Sequence, residues 1–376
     1  MENISDLHQY VTYGSECSFA SALGIIVVFG ILGNALIIFI IVYDKHRHKV
    51  SYYYVVCFSL SNICRSFLCL SLSLSAALGG SYVHSTTSCN ILAFANSFFV
   101  YSSANALLLL AIDRYASATF SRAYDRCTKG CFSLCTVSLV WIIAFIVAFL
   151  PVFGVGRYRY IYSELQCTFY HRRYEHNDTL GYVLFFVSLM VACLVLYSKI
   201  FLFKRAHRRM CPLQHQPARS TDWNFFGPGA NLQAMINLLN GFTGLRNPMG
   251  SLVQNIPQTF GRVVNLRVVR NGHFIRMCFL PSVIYCTVWT PYVLRILAHV
   301  FGYDSFISDK VVFSLTLLSH SYIVLCPIVM LLFQSPLRSS LCTVIQSCKT
   351  KSKYFMLRRE RSRKERYNLH CIELCG

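Results

Sequence analysis

The chain has 376 residues, 55% of them hydrophobic and only 13% charged, against about a quarter charged in a typical soluble chain. Its formal net charge of +20 lies between and after apolar runs, not along one folded polar face, so it does not mark a nucleic-acid surface. What remains is an integral membrane protein.

Apolar runs near the ~20 residues that cross a bilayer follow in order at 18–43, 52–78, 90–115, 131–153, 180–203, 274–300 and 311–333. They predict an all-α bundle of seven membrane helices. Hydropathy alone supports the seventh less well, because it contains His320 and Cys326. The first seventeen residues hold no Lys or Arg, and their acidic, polar start fits no cleavable signal peptide. The first loop carries Lys45, Arg47 and Lys49, and the loop after the third run carries Arg122, Arg126 and Lys129. Residues 204–273 hold nine basic residues against one acid, and the tail from Ser335 holds ten against three. Positive charge stays inside, so the N-terminus (1–17) is expected outside. The seven spans then fill 18–333, with 204–273 as the third inner loop. A short amphipathic helix and a basic tail (334–376) lie inside, where anionic membrane lipid is a partner. The sequons at Asn3 and Asn177 both fall on the predicted outside and are glycosylation candidates.

Most of the eighteen cysteines lie in spans or on the reducing side. Cys17, Cys89 and Cys167 are outside, which allows one pair and one left over. The spans contain no paired carboxylates, and the His46-Arg47-His48 cluster sits in a loop. No catalytic residue, metal site or cofactor is therefore predicted. No internal repeat supports a transporter or channel.

Several residues stand out in order. They are Gly33-Asn34, Asn62, Cys89, Asp113-Arg114-Tyr115, Trp141, Cys167, Trp289-Thr290-Pro291 and Pro327. Alone, Asp113-Arg114 is a charged pair ending a span. Pro291 and Pro327 each remove a backbone hydrogen bond and bend a helix. In this joint order the residues resemble the rhodopsin-like G-protein-coupled receptors. "QCTFYHRRYEHNDTLGY" and "WNFFGPGANLQA" are similar to the orphan group called super-conserved receptors expressed in brain, and the chain is identified as a divergent member.

The resemblance implies a plasma-membrane receptor that passes an unknown extracellular signal to a heterotrimeric G protein, with arrestin as a further partner. It implies a Cys89–Cys167 disulfide. Arg114, held by Asp113 beside Tyr115, would engage the G protein, and Tyr197 would swing toward it. Trp289 and Pro291 would form the pivot under the pocket. Departures from the pattern are Asn62, where aspartate is usual, and Cys326-Pro327-Ile328-Val329-Met330, which lacks the asparagine and tyrosine of the seventh span. No strong sodium site is expected. These losses also leave open a receptor fold that acts as a scaffold or decoy without G-protein coupling. Leu189 stands near the fifth span's usual proline.

Pocket candidates are Asn96, Trp289, Tyr292, Arg295, His299 and His320. Asn96 stands where amine receptors carry aspartate, and His320 where opsins carry lysine. Arg65 lies deep in the second span and demands a partner. An internal network and an anionic ligand are the two readings, and the network is favoured. In the third inner loop, Gly227-Pro228-Gly229 precedes Leu232, Met235, Ile236 and Leu239 at helical spacing. A short helix over 230–240 is predicted, able to plug the G-protein site. In the tail, Leu337, Leu341, Val344 and Ile345 form a helical stripe, and Cys342 and Cys348 are palmitoylation candidates.

Overall fold

The computed structural model describes residues 2–44, 50–79, 85–120, 124, 130–171, 176–214, 278–303, 307–333, 337–347 and 350. The predicted 230–240 helix, Cys348 and the loop arginines 122 and 126 lie outside that set.

Seven helices are long and apolar enough to cross a membrane. Helix α1 spans Glu2–Tyr43, its apolar part beginning at Cys17. Helix α2 covers Val50–Leu78. Its α-helical ends, Val50–Cys64 and Ser71–Gly79, are joined by a π-helical turn, Arg65–Leu70. Helix α3 is Thr86–Thr119 and α4 is Gly130–Phe149, continued by a 3-10 turn, Leu150–Phe153. An antiparallel hairpin follows, β1 (Tyr158–Ile161) and β2 (Gln166–Phe169), with Tyr158 opposite Phe169. Helix α5 is His176–Gln214, α6 is Cys278–Val300 and α7 is Asp309–Phe333. A short α8 runs over 337–347. The seventh run is more apolar than expected, with mean hydropathy 2.0 against 1.4 for α3 and 1.3 for α6. His320 is one polar group in a long aliphatic window.

Helix α3 is the axle. In its most apolar window 72% of residues are buried, against 22% in α4 and 33% in α1. It packs against α2, α4, α5 and the hairpin. The outer helices instead expose Leu32, Phe67, Leu134 and Leu184. Lipid is as apolar as these side chains, so the bundle gains nothing by hiding them.

Close packing of α1 on α7 explains Gly33-Asn34 and Pro327. A Cβ on Gly30 would meet Ile323 at 2.6 Å, and one on Gly33 would meet Pro327 at 3.1 Å. Pro327 has no N–H, so the carbonyl four residues earlier, on Ile323, loses its helical donor. Asn34 Nδ2 donates to that carbonyl at 2.9 Å and to Gly30 O at 2.8 Å. A buried carbonyl left unpaired costs about 1–3 kcal/mol.

Cys89 and Cys167 form a disulfide that fastens β2 to the first turns of α3, with Cα atoms 5.4 Å apart. Cys17 is exposed and unbridged. In α8 the predicted stripe is split. Leu337 and Val344 are buried and Leu341 packs on the core, but Ile345 is 45% exposed. Tethers set the helix's rotation, since Ser340 Oγ donates to Asp44 Oδ2 at 2.6 Å. Cys342 is exposed on the same helix.

Asn34→Ala is expected to lower stability by about 1–3 kcal/mol in a thermal melt. Adding Pro327→Ala should recover much of that loss, because the amide at position 327 can again serve Ile323. A loss that stays unchanged in the double variant would refute this account.

Candidate functional site

Three polar clusters lie along the bundle: one at the C-terminal end of α3, one midway, and one beneath the hairpin.

At the α3 C-terminus, Asp113 and Arg114 are both buried, 6% and 8% exposed. Arg114 Nε donates to Asp113 Oδ2 at 2.9 Å, and its terminal nitrogen contacts both Asp113 and Ser51. Ser51 Oγ donates to the same carboxylate oxygen at 2.7 Å. Tyr124 donates to Oδ1 at 2.6 Å. Burial, with the Asp113 carboxylate alongside, pushes the Tyr124 phenol up, so it remains a donor. The pair is thus capped from α2 and from beyond α3. Tyr115 is half-buried and packs edge-on against Phe120. Tyr197 of α5 is fully buried against Phe279 of α6, centroids 5.4 Å apart, so α5 and α6 are closed together here. Ser51 and Tyr124 escaped the sequence reading. Neither has a distinctive spacing to Asp113.

Midway, Arg65 is fully buried at the first position of the π turn. Its Nε donates to Asn96 Oδ1 at 2.8 Å, one terminal nitrogen to Tyr322 Oη at 3.2 Å, and the other meets His320 Nδ1 at 3.0 Å. A guanidinium has no acceptor, so His320 Nδ1 accepts. The Arg65 carbon also lies 5.8 Å from the Trp289 and Tyr322 ring centroids, within cation–π reach. Four helices meet at one side chain. Deeper, Ser103 donates to Asn62 Oδ1 at 3.0 Å and Asn62 Nδ2 faces Asn34 at 3.4 Å. Cys326 Sγ reaches Pro281 O at 3.7 Å, joining α7 to α6. Trp141 donates to Cys57 Sγ at 2.9 Å, joining α4 to α2.

Under the hairpin, the third cluster is built around an acid that comes from a turn and not from a span. Glu164, from the turn between β1 and β2, is 0% exposed. Arg295 donates to its Oε1 at 2.6 Å, and Tyr292 and Gln166 donate to Oε2 at 2.8 and 2.9 Å. The next residue, Leu165, adopts a left-handed conformation with φ 50°, which favours glycine. His171 is buried and meets Thr179 at 3.1 Å. Burial first, then Arg295 and His299, push its imidazole down to about 3. Arg65, Arg295 and His171 thus find partners within the protein. Asn3 and Asn177 fall in the first turns of α1 and α5. Among the described residues no group of His, Cys, Asp and Glu could hold a metal ion.

The order of these clusters on seven helices is matched elsewhere. Residues 33–330 match the family described as "7 transmembrane receptor (rhodopsin family)". The chain belongs to that family. It is 31% identical over 327 residues to "Probable G-protein coupled receptor 173" of Homo sapiens, 85% of this chain and 87% of that protein. It is 30% identical over 309 residues to "Probable G protein-coupled receptor 85" of Danio rerio, covering 80% and 81%. Squid rhodopsin shares the fold at a TM-score of 0.66 and 14% identity, over 89% of this chain and 87% of that one. The chain is therefore an orphan-type multi-pass receptor of the plasma membrane and not an enzyme.

Glu164→Gln leaves Arg295 without its buried counter-charge. It is expected to destabilise by about 3 kcal/mol, while the Glu164→Gln/Arg295→Gln double variant loses less. Additive losses in a double-mutant melt would refute a direct pair. His171 stays neutral in the fold while the unfolded chain takes up a proton near pH 6.5. Stability should thus fall with decreasing pH below 6.5, by up to about 1.4 kcal/mol per unit from this residue. His171→Gln should flatten that slope between pH 6.5 and 5.

Proposed function

We propose that this receptor carries a signal from an extracellular ligand to a heterotrimeric G protein bound at the Arg114 end, with the N-terminus outside. The observation that carries the reading is the capped Asp113–Arg114 pair beneath a closed α5–α6 contact. An ionised pair merely ending a helix would gain from facing water. Here it is buried and held by Ser51 and Tyr124. Moving α6, and Phe279 with it, away from Tyr197 of α5 would open a way for a partner to reach Arg114. Pro291 and Pro327 supply weak points in α6 and α7 about which such a movement can occur. The loop and tail arginines that fall at this end by the positive-inside rule suit anionic lipid and an acidic protein face. Glycosylation at Asn3 and Asn177, acylation at Cys342 and arrestin binding accord with this orientation.

A scaffold or decoy without coupling is the second reading. It is favoured by the neutral Asn62, Cys326 and Met330, which provide no carboxylate or phenol to relay a movement.

The test is basal G-protein dissociation, subtype by subtype, at matched surface expression. Asp113→Ala removes the restraint and should raise the basal signal several-fold. Arg114→Ala should abolish it in both backgrounds. If no subtype responds to Asp113→Ala, the coupling reading fails and the scaffold reading takes its place.

A further inference from the structure

The hairpin is held to the bundle on both sides of its disulfide. Before Cys167, the β1–β2 turn places Glu164 against Arg295 and Tyr292 of α6. After it, just beyond β2, His171 is buried between that strand, the first turn of α5 and the C-terminal end of α6. These surroundings suit an imidazole only while it is neutral. Phe169 lies against the ring, centroids 5.0 Å apart, and buried Thr179 of α5 meets Nδ1 at 3.1 Å. From α6, Arg295 and His299 face it. Among the described residues these two are the groups whose charge bears on it, and neither is an acid. A proton on His171 would thus add a buried positive charge beside a guanidinium, with no counter-charge.

We propose that the proton is a ligand of this protein: an acid medium on the hairpin side releases the hairpin from the bundle, and His171 is the group that takes up the proton. The inference rests on the orientation proposed above only in placing that side outside the cell.

Arg295 links the two holding points. It donates to Glu164 Oε1 at 2.6 Å and also faces His171, so charge placed on His171 falls on the residue that keeps the turn down. The backbone makes the hairpin one piece. Tyr170 N–H donates to Arg157 O at 2.8 Å, which extends the β1–β2 ladder to the residue before His171. Phe169 fills the space over Gly156, where any Cβ would clash with its ring. On β2, Gln166 donates to Glu164. The bond from Cys167 to Cys89 keeps a lifted hairpin attached to α3, so release is reversible.

The sign follows from burial. In the closed form burial first, then Arg295 and His299, hold the imidazole down at about 3. Lifting the hairpin returns it to water and to its ordinary value of about 6.5. The closed form therefore keeps its full advantage above pH 6.5 and loses about tenfold per pH unit below it, down to about pH 3. Between about pH 7.4 and about pH 5.5 the open-to-closed ratio rises roughly tenfold.

The experiment is hydroxyl-radical footprinting of the full-length protein in detergent micelles at about pH 7.4 and about pH 5.5, read by mass spectrometry. Leu165 and Phe169 are buried in the closed hairpin, 6% and 5% exposed, whereas Tyr162 beside them is 75% exposed and serves as the reference. Oxidation of Leu165 and Phe169 relative to Tyr162 should rise about tenfold at the lower pH. Phe58, buried in the bundle, should stay protected; a parallel rise there means the whole bundle unfolds and overturns the proposal. His171→Gln keeps a polar group beside Thr179 but does not titrate, and should abolish the rise. Glu164→Gln/Arg295→Gln should raise oxidation already at the higher pH, and a double variant as protected as the wild type refutes the clasp. No rise in the wild-type protein overturns the proposal without recourse to any variant. An equal rise in His171→Gln also overturns it, and a rise kept there but lost in His299→Gln assigns the proton to α6 instead. The readout is solvent exposure in micelles that leave both faces in one buffer. Failure of G-protein coupling, or a reversed orientation, would not alter the result.

Discussion

Burying one guanidinium governs this bundle. Arg65 is 0% exposed in the interior of a membrane protein, where an uncompensated charge costs several kcal/mol. Its partners are all neutral: an amide, a phenol, an imidazole nitrogen and two aromatic faces. Neutral acceptors match a guanidinium only if they converge in its plane. Asn96 on α3, His320 and Tyr322 on α7, and Trp289 on α6 must therefore hold fixed positions relative to α2. The π turn begins at Arg65 itself. Its wider backbone changes the angle at which later α2 residues leave the helix, a recurrent feature of functional helices.

The same arrangement links the two ends of the molecule. Tyr322 meets Tyr285 edge to face at 4.7 Å, Tyr285 lies 5.9 Å from Trp289, and Trp289 meets Tyr292 at 5.6 Å. Tyr292 holds Glu164. Toward the other end, Ser103 holds Asn62, and Asn34 serves the Ile323 carbonyl that Pro327 leaves without a donor. Rings and amides, not carboxylates, make up this chain of contacts. Such contacts are weaker and less directional than a buried carboxylate, so a closed resting state needs other restraints. The capped Asp113–Arg114 pair and the Glu164–Arg295 clasp supply them, one at each end of α3.

The spans were legible because a bilayer leaves no other option: each run must satisfy its own backbone and present apolar side chains. The loss of a backbone donor at Pro291 and Pro327 was legible from covalent structure alone. The need of Arg65 for partners was legible too, and Asn96 and His320 were legible separately, as pocket candidates. Their convergence was not, because helix rotation and the π turn leave no periodic trace. Glu164 was missed for a different reason. It arrives from a turn, where spacing carries no orientation. One signal was available, since Glu164 lies three residues before Cys167, and a bridge from there to Cys89 pins the turn over the helix ends. The tail stripe erred at Ile345 because a tether from Ser340 to Asp44, not hydrophobicity, sets that helix's rotation.

Charge limits what the axial compartment can accept. Among the described residues, two guanidinium charges, Arg65 and Arg295, face the axial region against one carboxylate, Glu164, while His171 is neutral in the fold. A cationic amine entering there meets net repulsion. An anion must displace Glu164 from a buried contact at 2.6 Å, and the displaced carboxylate has no second buried partner waiting. Both ionic classes therefore work against the fold's own electrostatics. The internal Glu164–Arg295 pair thus occupies the charges that an ionic guest would need as partners.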